Sequence, residues 1–338
     1  MEAPYSTPSD TEEIATIVLG LSGPSSSGKT TLARLLRSTF NTTISSTAQQ
    51  QQEPCKLTLR LFILHQDDFY LTDALVPVIN VSSQEFATRD LQDWDCVESL
   101  DLGLFEDTLR HVKQYGRVPD GSVSKEDQNA VGESGVDDDE IRRVKGAVED
   151  RLRALVFAAG DDEKNKPAVP RERELRICIL DGFLLYPPPP PHPPPPSTSA
   201  STSTTPSGTL TTSSGTPQAP PLEHLHHLTH SLLSPRLFLP STRAQTLSRR
   251  AQRTGYVTLE GFWTDPPGYV EDVVWPNYAR DHAWMYTDGN VERGKLDEAR
   301  LLSDEGIIVC PGGGAWEMGR VLQWAVDVLV DAVAKTFV

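Results

Sequence analysis

The chain has 338 residues, a net charge of −16 and four widely spaced cysteines. Because nucleic acids and anionic membranes repel an acidic surface, this charge argues against both as partners and favours a small molecule. The cysteines form no Cys-x-x-Cys pair, so neither a zinc site nor a disulfide framework is predicted. No stretch approaches the roughly 20 apolar residues of a membrane span, and residues 1–13 lack the basic flank of a signal peptide. A cytoplasmic or nucleocytoplasmic protein is expected.

The first predicted element is a buried strand over residues 14–21, and a glycine-rich turn follows it directly. This turn reads Gly-Pro-Ser-Ser-Ser-Gly-Lys-Thr over residues 23–30 and opens into a helix with one apolar face. Such a turn aims backbone N–H groups and the positive end of the helix dipole at one point, which suits a polyphosphate. The sequence therefore predicts a P-loop in which Lys29 neutralises the β- and γ-phosphates and Thr30 holds Mg²⁺. The expected nucleotide contacts are Gly23, Ser25, Ser26, Ser27, Gly28, Lys29, Thr30 and Thr31.

Short apolar strands and helices alternate along the rest of the chain. Further strands are predicted at residues 57–64, 175–180, 236–239 and 306–310, and a closing helix at 316–338. The alternation predicts an α/β fold of the P-loop NTPase class, with a parallel sheet of about five strands flanked by helices. We expect one domain over residues 1–338, in which residues 243–285 form a helical lid and the region near the substrate.

Three polar segments are expected to be insertions into this domain. Residues 42–54 are rich in Ser, Thr and Gln and are predicted to form a loop between the first helix and the second strand. Residues 120–170 are acidic, with one helical stretch predicted at 140–159. Residues 187–222 are rich in Pro, then Ser and Thr, and are predicted to be a disordered or polyproline-II loop. Without a basic anchor nearby, a passive spacer is favoured over a docking site for SH3 or WW domains.

Four histidines follow the proline-rich segment. They are His224, His226, His227 and His230. Because no Cys accompanies them and the flanking sequence is low in complexity, the cluster is interpreted as an exposed linker feature or helix face rather than a metal site.

Carboxylates follow the second and third predicted strands, at the sheet edge where open α/β folds bind ligands. Asp67 and Asp68 come directly after the second strand, so one of them could accept the proton of an attacking hydroxyl. Asp181 ends the third strand, where such folds bind Mg²⁺ or its water. Taken alone, each acid could belong to a solvated turn or cap a following turn. Their position relative to the phosphate loop favours catalysis.

Several distinctive motifs accompany the phosphate loop. They are Gln66-Asp67-Asp68-Phe69-Tyr70, Trp94-Asp95, Arg249-Arg250-Ala251-Gln252-Arg253, Asp265-Pro266-Pro267-Gly268-Tyr269 and Val274-Trp275-Pro276-Asn277-Tyr278. The combination resembles the nicotinamide riboside kinases, a branch of the nucleoside kinases related to uridine kinase and pantothenate kinase. The resemblance implies a kinase that uses ATP and Mg²⁺ to phosphorylate the 5′-hydroxyl of nicotinamide riboside, with nicotinic acid riboside as another candidate substrate.

The resemblance also implies roles for individual residues. Asp67 would be the base for the 5′-hydroxyl, and Thr30, Asp67 and Asp181 would form the Mg²⁺ site. Asp95 would accept the ribose 2′- and 3′-hydroxyls, because the two oxygens of a carboxylate match a cis diol. Trp94 would lie under the cationic pyridinium ring. The other expected contacts are Asp68, Tyr70 and Arg250 to the substrate, and Arg249, Arg253 and Gly312 to ATP.

The predicted lid carries its three arginines on one helix after the fourth strand, where they share a face and could clamp phosphates. Tyr256 is the candidate for a second aromatic beside the pyridine, although Gly255 could take the family's tyrosine position instead. The family usually has Glu where this chain has Asp181, and the shorter side chain favours a contact through water.

Two other functions stay open from the sequence. A kinase for uridine, cytidine or another riboside would use the same base and the same diol contact. An inactive nucleotide-binding adaptor could recruit partners through its inserts, but the intact Lys29, Thr30, Asp67 and Asp95 argue against lost catalysis.

Overall fold

The computed structural model of the chain describes residues 15–46, 55–83, 85–124, 132–157, 172–190, 220–253, 255–257 and 261–337, without the side chain of Tyr256. The glutamine run and most of the proline-rich segment lie outside these ranges. The predictions of a disordered insert and of its passive role therefore stay predictions, as do the domain and insert boundaries.

A mixed sheet forms the centre of the molecule. The strands are β1 (Thr16–Ser22), β2 (Thr42–Ser45), β3 (Lys56–His65), β4 (Val78–Val81), β5 (Arg89–Gln92), β6 (Glu172–Gly182), β7 (Arg236–Phe238), β8 (Tyr256–Val257), β9 (Phe262–Trp263) and β10 (Ile307–Val309). Six of them form one sheet in the order β10-β7-β1-β6-β3-β2. The pairs from β10 to β3 are parallel, which confirms the predicted sheet of about five strands.

Strand β2, at the edge of the sheet, was not predicted from the sequence. Residues 42–45 were predicted to lie in a loop, but they pair antiparallel with β3. The reason is local, because Thr42, Thr43 and Ile44 are β-branched residues that suit a pleated strand. The side chain of Ile44 is also buried in the core, which anchors the strand to the sheet.

Helices cover both faces of the sheet. They are α1 (Lys29–Phe40), α2 (Leu102–Tyr115), α3 (Asp138–Phe157), α4 (Pro221–Leu232), α5 (Arg243–Arg250), α6 (Trp275–His282), α7 (Glu298–Glu305) and α8 (Met318–Lys335). On one face of β1, Ile17, Leu19 and Leu21 pack in the core that α1, α3 and α8 cover. On the other face, Val18 packs in the core that α2 and α4 cover. This alternation is the two-residue period of a strand buried on both faces. Within the described ranges, no helix is long and apolar enough to cross a membrane.

Helix α3 lies inside the segment that was expected to be an acidic insert. Its bounds, Asp138–Phe157, are close to the helical stretch predicted at 140–159. The helix packs against α1 and α8, and the side chains of Val148 and Leu152 are fully buried. This part of the segment is therefore a structural layer of the domain, because its apolar face belongs to the main core.

Replacing Leu152 with Ala should lower the free energy of unfolding by about 2–5 kcal/mol, because the change leaves a cavity in the core. Leu155 lies on the same helix with 45% of its surface exposed, so Leu155→Ala is the matched control. The control should change stability by no more than about 0.5 kcal/mol. Urea unfolding of both variants measures the difference, and equal effects would mean that α3 is not part of the core.

Candidate active site

The phosphate loop connects β1 to α1 in a conformation that requires its glycines. Gly23, Ser26 and Gly28 all have positive φ, at 152°, 59° and 98°. A Cβ at Gly23 would lie 2.2 Å from the carbonyl oxygen of Leu239, which no other residue could tolerate. Among the described residues, no side chain caps the amino end of α1. The loop and this helix end can therefore offer their N–H groups to an anion.

Lys29 and Thr30 begin α1 and face two other parts of the site. The Lys29 side chain is buried, and its Nζ donates to the carbonyl oxygens of Gly23 and Pro24, each at 3.0 Å. Thr30 Oγ1 donates to Asp181 Oδ2 at 2.6 Å. A cation and a hydroxyl are thus held beside the loop.

Asp181 lies at the carboxyl end of β6, directly opposite His65 in β3. The His65 Nδ1 atom is 3.3 Å from Asp181 Oδ2. Burial raises the pKa of Asp181, but the hydrogen bond with His65 and the charge of Lys29 outweigh burial and hold the pKa below its ordinary value. The carboxylate is therefore ionised at neutral pH, which suits a ligand of Mg²⁺ or of its water.

Asp67 and Asp68 lie in a short 3₁₀ turn, Gln66–Phe69, that follows β3. The Gln66 side chain fixes this turn, because its amide donates to Leu184 O and accepts from Leu184 N–H, each at 3.0 Å. No structural role for Gln66 was predicted from the sequence. Its position in the motif with the two acids was the available signal.

One cavity of about 70 Å³ brings together most of the predicted site residues. Its lining includes Ser25, Ser26, Gly28, Lys29, Thr30, Thr31, His65, Asp67, Tyr70, Asp95, Asp181, Phe183, Arg250 and Arg253. Asp67 is on this wall, whereas Asp68 is not. The phosphate loop and the acids that were predicted to act on a sugar therefore face the same space.

Asp95 lies in a turn after β5, outside the six-stranded sheet, and lines the same cavity. Burial raises the pKa of Asp95 to about 6, and the charge of Arg250 opposes this rise. Asp95 and Asp181 thus line the same cavity but have pKa values shifted in opposite directions.

Arg250 connects the end of α5 to the phosphate loop. Its Nε and Nη2 atoms donate to Asp265 Oδ2 and Oδ1 at 2.7 and 3.0 Å, and its Nη1 donates to Ser25 Oγ at 2.5 Å. Asp265 also accepts a hydrogen bond from Trp263 Nε1 at 3.0 Å. Asp265 belongs to one of the distinctive motifs, but no role was predicted for it from the sequence. The two parallel bonds orient the guanidinium group toward the cavity.

The position of Arg253 differs from the prediction that all three arginines lie on one helix. Helix α5 ends at Arg250, so Arg253 follows it in a turn instead of lying on the same helix. Gly255, with a φ of 134°, prevents a regular continuation. Arg253 N–H still bonds to Arg250 O at 3.0 Å, which keeps its side chain at the cavity. Arg249 is exposed and donates to Ser26 O and Gly314 O, each at 3.4 Å.

A larger cleft of about 760 Å³ adjoins this cavity, because Ser26, Gly28, Thr31 and Arg253 line both. Arg249, Pro311, Gly314, Trp316 and Met318 are among the residues that line it. Gly312, which was predicted to contact ATP, instead packs against the Trp316 indole, where a Cβ would be 2.4 Å from Cδ1. The loop over residues 311–314 therefore lines the cleft with Pro311 and Gly314 instead of Gly312.

The aromatic residues are arranged differently from the prediction. Trp94 is only 7% exposed and packs perpendicular to the Tyr70 ring, with ring centroids 5.3 Å apart, and it is not among the residues that line the cavity. The rings that line the cavity are those of Tyr70 and Phe183, which lie 6.2 Å apart and nearly parallel, at 19°. The side chain of Tyr256 lies outside the described residues, so its predicted stacking stays a prediction.

The four histidines are on α4, as a helix-face interpretation requires. His224 Nε2 is 2.9 Å from Glu106 Oε2, and His230 Nε2 is 3.7 Å from Glu305 Oε2. Across the described part of the chain, no group of three or more His, Cys, Asp or Glu side chains could hold a metal ion. All four cysteines are free thiols.

The fold and the site together define a P-loop kinase of the nucleoside kinase type. A parallel sheet places a phosphate loop and two acid-bearing strand ends at one edge, and Arg250 lines the cavity beside them. No protein-family model matches the sequence.

Three fungal proteins named nicotinamide riboside kinase are similar to this chain. The Schizosaccharomyces pombe protein is 27% identical over 308 residues, which is 91% of this chain and 97% of that protein. The Saccharomyces cerevisiae protein is 29% identical over 282 residues, or 83% of each chain. The Eremothecium gossypii protein is 26% identical over 277 residues, or 82% of this chain and 80% of that one. Over most of its length, the chain is therefore similar to proteins named nicotinamide riboside kinase.

Replacing Asp265 with Ala should lower the free energy of unfolding by about 3 kcal/mol, because Arg250 would keep a nearly buried charge without its bidentate partner. The control is Asp327→Ala, which removes the partner of Arg151 from an exposed ion pair. That change should cost less than about 1 kcal/mol. Equal losses in urea unfolding would show that Asp265 does not hold Arg250 as described.

Proposed function

We propose that this chain transfers the γ-phosphoryl group of ATP to the 5′-hydroxyl of nicotinamide riboside, which gives nicotinamide mononucleotide for NAD synthesis. The observation that carries the proposal is the single cavity lined by the phosphate loop, Asp67, Asp95 and Arg250. The three relatives support the choice of substrate, because their similarity extends over most of both chains. We also propose a cytoplasmic location, which rests on the sequence features alone.

The donor side of the proposed site uses the phosphate loop and the larger cleft. Lys29 and the loop amides would hold the phosphates, and Arg249 and Arg253 would contact them from the lid. The cleft beside Gly314 has the volume for an adenosine group. These residues would position the γ-phosphate in the smaller cavity, which phosphoryl transfer requires more than any covalent chemistry.

The oxygen atoms at the strand ends fit a magnesium ion. Thr30 Oγ1 and Asp181 Oδ2 are 2.6 Å apart, Asp67 lines the same cavity, and Mg²⁺ prefers hydroxyl and carboxylate oxygens. A Mg²⁺ ion bound by these three residues would neutralise charge on the transferring phosphates. The low pKa of Asp181 supports its place in this set, because an ionised carboxylate is the better ligand.

The acceptor side of the proposed site uses two carboxylates with different tasks. Asp67 would accept the proton of the 5′-hydroxyl as that oxygen attacks phosphorus. Asp95, whose pKa is about 6, is mostly ionised at neutral pH and would accept both the 2′- and 3′-hydroxyls. Arg250 faces the same cavity and would contact the ribose. The diol contact would favour ribosides over deoxyribosides.

The pyridinium ring would lie against Tyr70 and Phe183, the aromatic residues that line the cavity. A cationic ring gains attraction from the faces of aromatic side chains. Trp94 would act indirectly in this arrangement, since its indole supports the Tyr70 ring.

The proposed function is tested by measuring ADP release from ATP against nicotinamide riboside, nicotinic acid riboside, uridine and cytidine. We expect the highest kcat/KM for nicotinamide riboside. A higher value for uridine or cytidine would make the chain a different riboside kinase. No ADP release with any nucleoside would contradict the proposal and favour the adaptor hypothesis.

Replacing Asp67 with Ala should lower kcat for riboside phosphorylation by about 100-fold or more, because the base is lost. The dissociation constant of ATP, measured without Mg²⁺ because Asp67 is also a proposed metal ligand, should change by less than about threefold, since the phosphate loop is intact. Asp68→Ala is the matched control, because Asp68 is the neighbouring acid but does not line the cavity, and its kcat should stay within about fivefold of the original protein. Equal losses of turnover and ATP binding in Asp67→Ala would refute the assigned role.

A further inference from the structure

Asp95 is held in place by residues far away in the sequence. It lies in a turn after β5, outside the six-stranded sheet that supports the phosphate loop, Asp67 and Asp181. A carboxylate that must meet two hydroxyls at once needs a fixed position, so its turn requires other support. That support comes from α6 and the segment before it.

Asp93 contacts both Asp95 and α6 through one oxygen atom. Its Oδ1 accepts a hydrogen bond from the Asp95 backbone N–H at 3.1 Å and another from Asn277 Nδ2 at 2.7 Å. The side chains of Asp93 and Asn277 are only 5% and 6% exposed. Little water competes for these bonds, so the loss of one would leave a buried polar group unsatisfied.

The amide orientation of Asn277 is fixed by a second contact. Its Oδ1 accepts a hydrogen bond from Arg280 Nη1 at 2.8 Å, so its Nδ2 is the atom that faces Asp93. Burial raises the pKa of Asp93, and the hydrogen bond from Asn277 opposes that rise. The interaction therefore favours the charged, accepting form of Asp93.

Tyr269 holds the same turn from a neighbouring position. Its hydroxyl donates to Gln92 O at 3.0 Å and accepts from Trp94 N–H at 3.1 Å. The Tyr269 side chain is buried in a small core with Trp94. The backbone is thus tied at residues 92, 94 and 95, and the bond at 95 is the one that depends on Asn277.

We infer that Asn277, acting through Asp93, is a positioning residue that fixes Asp95 for recognition of the ribose diol. This inference rests on the proposed function, because it assumes that Asp95 accepts the 2′- and 3′-hydroxyls. It assigns a task to the asparagine of the Val-Trp-Pro-Asn motif, which has no expected contact with substrate. The Asn277 side chain instead affects substrate selection indirectly, because it fixes the position of the Asp95 carboxylate.

The inference is tested by comparing Asn277→Ala with the original protein on nicotinamide riboside and its 2′-deoxy analogue. We expect kcat/KM for the riboside to fall about tenfold, while the value for the deoxy analogue changes by less than about threefold. The preference for the riboside should therefore shrink, and KM for ATP should stay within about twofold. A loss of structure alone would lower both nucleoside values together.

Two variants of Asp93 test the same connection between Asn277 and Asp95. Asp93→Ala removes the shared acceptor and should reproduce the reduced preference, even if Asn277→Ala does not fold. Asp93→Asn keeps an oxygen for both donors and should retain most of the preference. Asp93→Ala and Asn277→Ala should also be non-additive when combined, because each removes the same connection.

Asn41→Ala is the control for a lost asparagine far from the site. Asn41 follows the carboxyl end of α1 and bonds to the Leu61 backbone through both side-chain atoms. Its loss should lower stability but leave the riboside preference unchanged. If the original protein phosphorylates the riboside, and Asn277→Ala and Asp93→Ala both keep its full preference for the riboside, the inference is wrong but the proposed function stands. An original protein that does not phosphorylate the riboside would overturn the proposed function and the inference with it.

Discussion

The parallel pairing of β1, β6 and β3 is the constraint on which the site depends. Their register places Ser22 beside Gly182, and Asp181 beside His65, so the three strands end at the same edge of the sheet. Each strand end is followed directly by part of the site: the phosphate loop, the turn with Asp67, or the turn with Phe183. Gly182 is needed at this edge because a Cβ there would lie 2.6 Å from Gln66 Oε1. A change of register would separate the phosphate loop from the acids.

The two sides of the cavity differ in electrostatics, and this difference supports the proposed division of tasks. On the sheet side, Lys29 and His65 keep the pKa of Asp181 low, which suits a metal ligand. On the other side, burial raises the pKa of Asp95 to about 6, while Arg250 limits the rise. Carboxylates whose environments shift their pKa values in opposite directions commonly serve different roles in one site. Arg250 joins the two sides, since it bonds to Ser25 in the phosphate loop and to Asp265 beyond the lid helix.

Sequence reasoning predicted the parts of the site that depend on local chain order. The phosphate loop and Asp181 follow from a strand and the turn after it, so their positions could be inferred without knowledge of the packing. The edge strand at residues 42–45 was missed because its polar composition resembles a loop, and only its pairing with β3 makes it a strand. The burial of Trp94 was missed for a related reason, because the rings of Tyr70 and Trp263 come to it from distant parts of the chain. The roles of Asp265 and Asn277 depend on contacts across 15 and 184 residues, which no periodic pattern reveals.

A crystal structure of the chain with Mg²⁺, a non-hydrolysable ATP analogue and nicotinamide riboside would show whether Asp67 and Asp95 act on one bound riboside. We expect the 5′-oxygen to lie within hydrogen-bond distance of Asp67 and in line with the γ-phosphorus. We also expect both oxygens of Asp95 to accept from the 2′- and 3′-hydroxyls. A riboside bound with its 5′-oxygen directed away from the γ-phosphate, or with its diol far from Asp95, would rule out the proposed roles of the two acids.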